Sequence, residues 1–530
     1  MNLKSKIIIS SLLLMSGFGV SCSHDFEEIN TDPNKMNVGD LQPYGMFESL
    51  LYNTASQQNY LTWYWNDELV QFTACTSVTG QERHRYLVTD KNCQDVWSNY
   101  AVKAGNAVHM YKLATKFNIP SCQAIALTMK VFLLSNLTDI FGDIPYSEAF
   151  MGDVGLDKPK FDSQKEVYEQ MFAELEEANR IYAQNPTFDS EKTKCDIMYG
   201  GDLKLWRKFN NSLYLRLLTR VSGRAEMNAG DKIREILNDT KNYPVISANT
   251  ESATIHNTGV DPYYNFFRPS KYNEDKFTKA AYRITEQFLK MTVRVEGTQT
   301  IQDPRITTWA KQYNSENGWK GTVAGCSIED QRVINDGTSL LNYEVLVRDA
   351  APAFLLDYSE VLFIKAEAAH KNWIDGGDVK AREYYENAVR ASCQKWAELE
   401  TFSKTKAPIN DTNIDKLLSS SLANWDNYTD KAQLIAEQKW LSLFWVGMEA
   451  FHEIRRTGWP LLTIGAATTP NNHHFPQRLF YPSITVGPNP DNVAAALNNM
   501  GGENNMRTPV WWSIEAITGT FPIANPEIEK

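Results

Sequence analysis

Apolar residues recur at steps of three and four along most of the chain. Between Gln164 and Gln184, the residues Val167, Met171, Leu175, Ala178 and Ile181/Tyr182 share one helical face. Glu169, Glu174, Glu176 and Glu177 take the other, and Ser163 stands at the N-cap position. The same periodicity predicts helices over 95–116, 121–140, 202–220, 358–372, 378–396 and 430–457. Links such as Phe117-Asn118-Ile119-Pro120 and Ile374-Asp375-Gly376-Gly377 are short, so successive helices should form antiparallel hairpins.

In one hairpin, Ala366, Ala368 and Ala369 are followed by Gly377, Ala381, Tyr384/Tyr385 and Ala388. Small residues stand where two helices must approach and rings fill the gap, a pattern that resembles a tetratricopeptide-like unit. The 34-residue period is not kept, because insertions rich in Gly, Asn, Pro and aromatics interrupt it near 246–277, 293–349 and 462–508. The expected architecture is therefore all-α: tetratricopeptide-like hairpins, with the long irregular insertions forming a ligand face.

Lys4 and Lys6 precede an apolar run, Ile7 to Met15, and small residues lead to Ser21 and Cys22. This is the order of a secretory signal, and a Cys directly after it fits lipoprotein cleavage before Cys22, whose palmitate-type acyl chains would hold the chain to a membrane. The expected organisation is a signal peptide over 1–21, a lipidated tether over 22–40 and a single helical domain over 41–530. Of seven cysteines, six then remain, without C-x-x-C spacing or neighbouring His, and are read as buried free thiols. The net charge of −11 carries no basic block, which argues against nucleic acid. Removal of residues 1–21 takes two lysines and no acid and leaves −13. Aromatics reach 12% in a chain only 42% hydrophobic, so either the core is rich in rings or some rings face a ligand.

The sequence holds no nucleophile elbow, phosphate-binding loop, zinc-protease helix or dinucleotide turn. His452-Glu453 is read as part of a helix face whose acids bridge to Arg455 and Arg456. Asp139 and Asp143 invite comparison with a glycosidase carboxylate pair, but Gly142 and Pro145 make a helix end the better reading. Neither a cofactor nor a metal is expected.

Several segments together carry a family resemblance: Glu28-Ile-Asn-Thr-Asp-Pro-Asn34, Asp139-Ile-Phe-Gly-Asp-Ile-Pro-Tyr-Ser-Glu-Ala149, the turn Asp303-Pro304-Arg305, and Trp445 to Pro460. Arg478-Leu-Phe-Tyr-Pro482 and Thr508-Pro-Val-Trp-Trp512 complete the set. In order and in combination they resemble the SusD/RagB family of nutrient-binding outer-membrane lipoproteins. The resemblance implies a lid on a SusC-like, TonB-dependent β-barrel transporter, facing the cell exterior, that captures oligosaccharides or, in some members, peptides without chemistry of its own. A surface glycoside hydrolase is the contrasting reading.

A sugar offers C–H groups on its faces and hydroxyls at its edge, so a binder needs rings flanked by amides or charged groups. The insertions supply Tyr263, Tyr264, Asn265 and Phe267 in the run Tyr263-Tyr264-Asn265-Phe266-Phe267-Arg268, and Trp309, Tyr313 and Trp319 beyond the Asp303-Pro304-Arg305 turn. Arg83 and Tyr86, in the polar run 81–86, are candidate edge contacts. Trp63 and Trp65 are weaker candidates, while Trp97, Tyr100, Trp511 and Trp512 are expected to be structural. The Tyr263–Phe267 cluster has an alternative role as an apolar patch against the transporter.

Overall fold

The computed structural model describes residues 42–76, 82–261, 263–267, 282–314, 318–403, 408–513 and 523–524. The chain divides into two compact units, Met1–Gln42 and Pro43–Lys530, and the described architecture is that of the second. Cys22, the signal segment, the Glu28–Asn34 motif, Gln81, Arg268 and Asn317 lie outside the described residues.

Helices dominate. The principal ones are α1 (Tyr44–Leu61), α2 (Asp90–Lys116), α3 (Pro120–Phe141), α4 (Gln164–Ala183), α5 (Leu203–Arg220), α6 (Ala229–Asn238), α7 (Tyr358–His370), α8 (Gly377–Glu400), α9 (Lys431–Ser442) and α10 (Glu449–Thr457). Consecutive members pack as hairpins from α2 to α6, and α7 packs on both α8 and α9. Local chemistry sets the boundaries. Ser163 accepts from the Glu166 amide while the Glu166 carboxylate accepts from the Ser163 amide, a reciprocal box that opens α4; Thr89 and Asn92 do the same for α2. Gly142, at φ 91°, ends α3. Between α7 and α8, Ala366, Ala369, Ala381 and Ala388 are fully buried, which lets the two helices approach closely. α3 is long and apolar enough to cross a bilayer, but 94% of that window is buried inside the protein, as befits a central core helix.

Two expectations change. The periodic stretch 430–457 is not one helix: α9 ends at Ser442 and α10 begins at Glu449, with Trp445 at φ 67° and Gly447 at φ 50° between them. A side chain at Gly447 would run into the amide of Gln58, so the bend and the α1 contact are built together. The insertions are also less irregular than expected. β3 (Tyr282–Ile284), β6 (Ala310–Lys311) and β7 (Leu340–Leu341) join β1 (Thr73–Cys75) in an antiparallel sheet of order β1-β3-β7-β6, and β4 (Val293–Glu296) pairs with β5 (Gln299–Gln302). Strands of two to four residues carry no readable alternation, and except for the β4–β5 hairpin their partners are remote in sequence.

A buried ionic network ties the hairpins together. Arg216 of α5 bonds Glu360 of α7 at 2.5–2.7 Å and Glu449 of α10 at 3.3 Å. Arg220, one turn on, bonds Glu449 at 2.5 Å and Asp139 of α3 at 3.2 Å. Asp139 also accepts from the Tyr168 hydroxyl and the Trp512 indole. The α10 charges are likewise internal: Glu453 pairs with Arg456 and Lys439, and Arg456 reaches Glu367 at 2.6 Å. Arg455, expected to bridge to an acid, instead donates to the Gln477 carbonyl and lies over the Phe451 ring, and burial lowers its pKa to about 9.

Candidate ligand-binding site

A cleft of about 500 Å³ opens between α1 and α2. From α1 it takes Asn53, Ser56, Gln57 and Tyr60, and from α2 Asn92, Asp95, Asn99 and Lys103. Each set follows the three-or-four-residue helical step, so one polar stripe per helix faces the opening. Tyr64, on the π-helical turn Thr62–Asn66 that continues α1, and Phe266 add rings, and Arg83 adds a guanidinium.

The three rings form a group. Tyr60 lies 5.0 Å from Tyr64 and 5.6 Å from Phe266, the latter edge to face. Phe266 is 39% exposed, so much of its surface is open to a bound molecule. Arg83 is only 2% exposed and lies over the Trp65 ring at 4.9 Å, yet its Nε and Nη1 have no hydrogen-bond partner among the described residues. Both amide atoms of buried Gln57 are likewise unpartnered. Buried polar atoms are nearly always paired, so four such atoms around one cleft mark donors and an acceptor available to something else. Burial lowers the Lys103 pKa to about 8; its Nζ donates to Asn99.

A rigid frame holds Arg83. In the helical turn Arg83–Arg85, the His84 amide donates to Glu68, and the His84 imidazole bridges the Cys75 carbonyl and the Gly325 amide, at 3.0 and 2.9 Å. The Gly325 contact makes Nδ1 the acceptor and Nε2 the donor, and burial lowers the pKa to about 3, so this histidine stays neutral. Arg85 donates to the Cys326 carbonyl at 2.6 Å, pinning the turn to the 325–331 segment. Burial raises the Glu68 pKa to about 8, with the Arg83 charge opposing it.

Of the candidate ligand-binding residues named from sequence, Arg83 lines this cleft and the others lie elsewhere, while Phe266 of the run 263–268 also lines it. Trp309 has no accessible surface; it packs between Phe288, Phe444 and Trp396 with Arg305 over its face. It offers nothing to a ligand because the turn before it folds into the core, where Arg305 pairs with Asp303. Tyr86 is buried against Phe475, and Phe267 against Trp63 and Trp445. Asn265 is spent on structure: its side chain donates to the Ala351 carbonyl and accepts from the Phe267 amide. Tyr263 is half-buried beside Tyr52, Tyr264 is half-buried, Tyr313 is 52% exposed, and half-buried Trp319 donates to Gln302.

Trp63 and Trp65 are both buried, Trp65 forming the surface on which Arg83 rests. Asp143 accepts from the Gln164 amide and the Asn499 side chain, and with Asp139 it closes the end of α3 inside the core. The α1 and α2 stripes are amides repeated on helices, which rings in the insertions do not point to; Asn53, Gln57 and Tyr60 at that spacing are the signal the sequence holds for them. Among the described residues no group of three or more His, Cys, Asp or Glu side chains could hold a metal, and Cys93, Cys122, Cys195, Cys326 and Cys393 are free thiols.

Helical hairpins carrying a cleft lined by rings and polar side chains define a helical-repeat scaffold with an open site on it. The chain belongs to the SusD-like family: residues 33–482 match the family described as starch-binding and associating with the outer membrane. Its fold is that of solved relatives. A SusD homologue from Bacteroides fragilis is 22% identical with a TM-score of 0.74, covering 89% of this chain and 100% of its own. A chitin-binding SusD homologue from Flavobacterium johnsoniae is 23% identical, TM-score 0.69, covering 90% and 99%. A further chitin-binding protein is 23% identical, TM-score 0.73, covering 89% and 100%. No curated protein matches in sequence.

Proposed function

We propose that the protein captures oligosaccharides in the α1/α2 cleft and hands them to a SusC-like, TonB-dependent transporter, without catalysing a reaction. The observation that carries this reading is the grouping of Tyr60, Tyr64 and Phe266 beside the unpaired atoms of Gln57 and Arg83. Rings take the C–H faces of a sugar, and amides and guanidinium take its hydroxyls. The starch-binding description of the family and the chitin-binding relatives support a glycan as ligand. Cleavage after Ser21 and lipidation of Cys22 would place the domain on the outer membrane, facing outward, with 22–40 as tether. Affinity should be moderate, since capture must be followed by release.

A glycan array probed with the chain starting after Cys22, repeated with Tyr60→Ala, tests the reading. Binding of neutral oligosaccharides that weakens in the variant supports it. Peptides co-purifying with the chain and no glycan retained would replace it with the peptide-binding alternative, and release of reducing ends from a bound glycan would revive the hydrolase.

A further inference from the structure

A second cavity, of about 580 Å³, shares no lining residue with the first. It lies among β2 (Ala253–Ile255), β8 (Ala353–Leu356), which pair antiparallel, and the end of α8. Phe354, Leu399 and Phe402 give it apolar walls. Arg348, Asp357, Lys395 and Glu398 are the charged side chains of the lining, and two of them, Asp357 and Arg348, carry unpartnered atoms. Asp357 is 1% exposed; its Oδ2 takes Lys395 Nζ at 2.6 Å, while Oδ1 has no hydrogen-bond partner among the described residues. Arg348 lies over the Phe402 ring at 3.3 Å; its Nε is buried and unpartnered, and no ion pair to an acid is formed among the described residues. Burial alone lowers its pKa.

The two features ask for different things. The Asp357 charge is already balanced by Lys395, so its free Oδ1 needs only a donor, a hydroxyl or an amine. Arg348 forms no ion pair among the described residues, although Glu398 lines the same cavity, and a guanidinium beside apolar walls favours an anion that can reach it, best a carboxylate that matches its planar donors. We infer that this cavity binds a small carboxylate that also carries a hydroxyl or ammonium donor, with a body of one ring lying against the aromatic walls. A sugar acid and an aromatic amino acid share that chemistry. The inference is independent of the glycan reading of the first cleft.

The full chain, purified in detergent, is titrated calorimetrically with D-glucuronate, L-phenylalanine and D-glucose. At least one carboxylate should bind and glucose should not; which carboxylate binds identifies the source. Arg348→Met should weaken that binding at least about tenfold, the loss expected for a charge-assisted hydrogen bond. Leu399→Trp, which narrows the cavity without touching either charge, should do so too, and serves if the arginine variant fails to fold. Tyr60→Ala, in the other cleft, should change nothing here. Absence of binding by both carboxylates, equal binding of glucose, or binding untouched by the cavity variants would overturn the inference.

Discussion

Removing the rings of the α1/α2 cleft separates this placement of the site from one at Tyr313 and Trp319 in the 293–349 insertion. Phe266→Ala takes away a ring that is 39% exposed, so its cost to folding should stay below about 1 kcal/mol. If a sugar covers about 50 Å² of such a ring, the lost apolar burial is about 1.3 kcal/mol at ~25 cal/mol per Å². That corresponds to a weakening of about ninefold. Tyr60→Ala removes a similar face and should cost a similar factor. The two rings touch, with centroids 5.6 Å apart, so either deletion frees the other to move, and the double variant should lose less than the product, about 30-fold. The assay is isothermal titration with the best glycan from the array, with circular dichroism confirming the fold. Tyr313→Ala and Trp319→Ala, outside the cleft, should bind within about twofold of the parent. If those two abolish binding while Tyr60→Ala and Phe266→Ala leave it within about twofold, the reasoning is refuted and the loop face is the site.

Trp309→Ala should destabilise the fold by about 3–5 kcal/mol and lower the denaturation midpoint, because a wholly buried indole is replaced by a cavity; an unchanged midpoint would contradict its place in the core. Glu449→Ala leaves Arg216 and Arg220 without their shared carboxylate and should cost about 3–5 kcal/mol, with strong coupling to Arg220→Ala in a double-mutant cycle; additive effects would count against the network. Glu68→Gln tests a pH effect. The buried carboxyl has its folded pKa raised from 4.5 to about 8, so the folded state holds the proton longer than the unfolded state. Its contribution to stability is complete below pH 4.5 and is lost as pH rises towards 8. The variant should therefore gain on the parent across that window, by up to about 1.4 kcal/mol per pH unit, as read by urea denaturation at pH 5 and pH 8. A constant difference would show that Glu68 does not titrate there.

The sequence by itself determined what local interactions decide. The three-and-four spacing of Val167, Met171 and Leu175, the Ser163 cap and the Gly142 stop act within a few residues, so α4 and the end of α3 stand where the pattern puts them. The family motifs were equally legible, being fixed residues in fixed order. Tertiary structure decided the rest. Whether an aromatic is core or surface depends on what packs over it: Trp309 and Phe267 disappear under residues far away in the chain, while Phe266, beside Phe267, stays open. The charges of α10 look like a solvated face until α5, α7 and α9 are brought against them. The α1/α2 cleft brings together two helix stripes, Phe266 and Arg83, the last on a turn pinned by the 325–331 segment, and no local pattern connects them. Helix periodicity records which side is apolar, but a binding site is a meeting of polar sides, and only the packing of remote segments settles which of them meet.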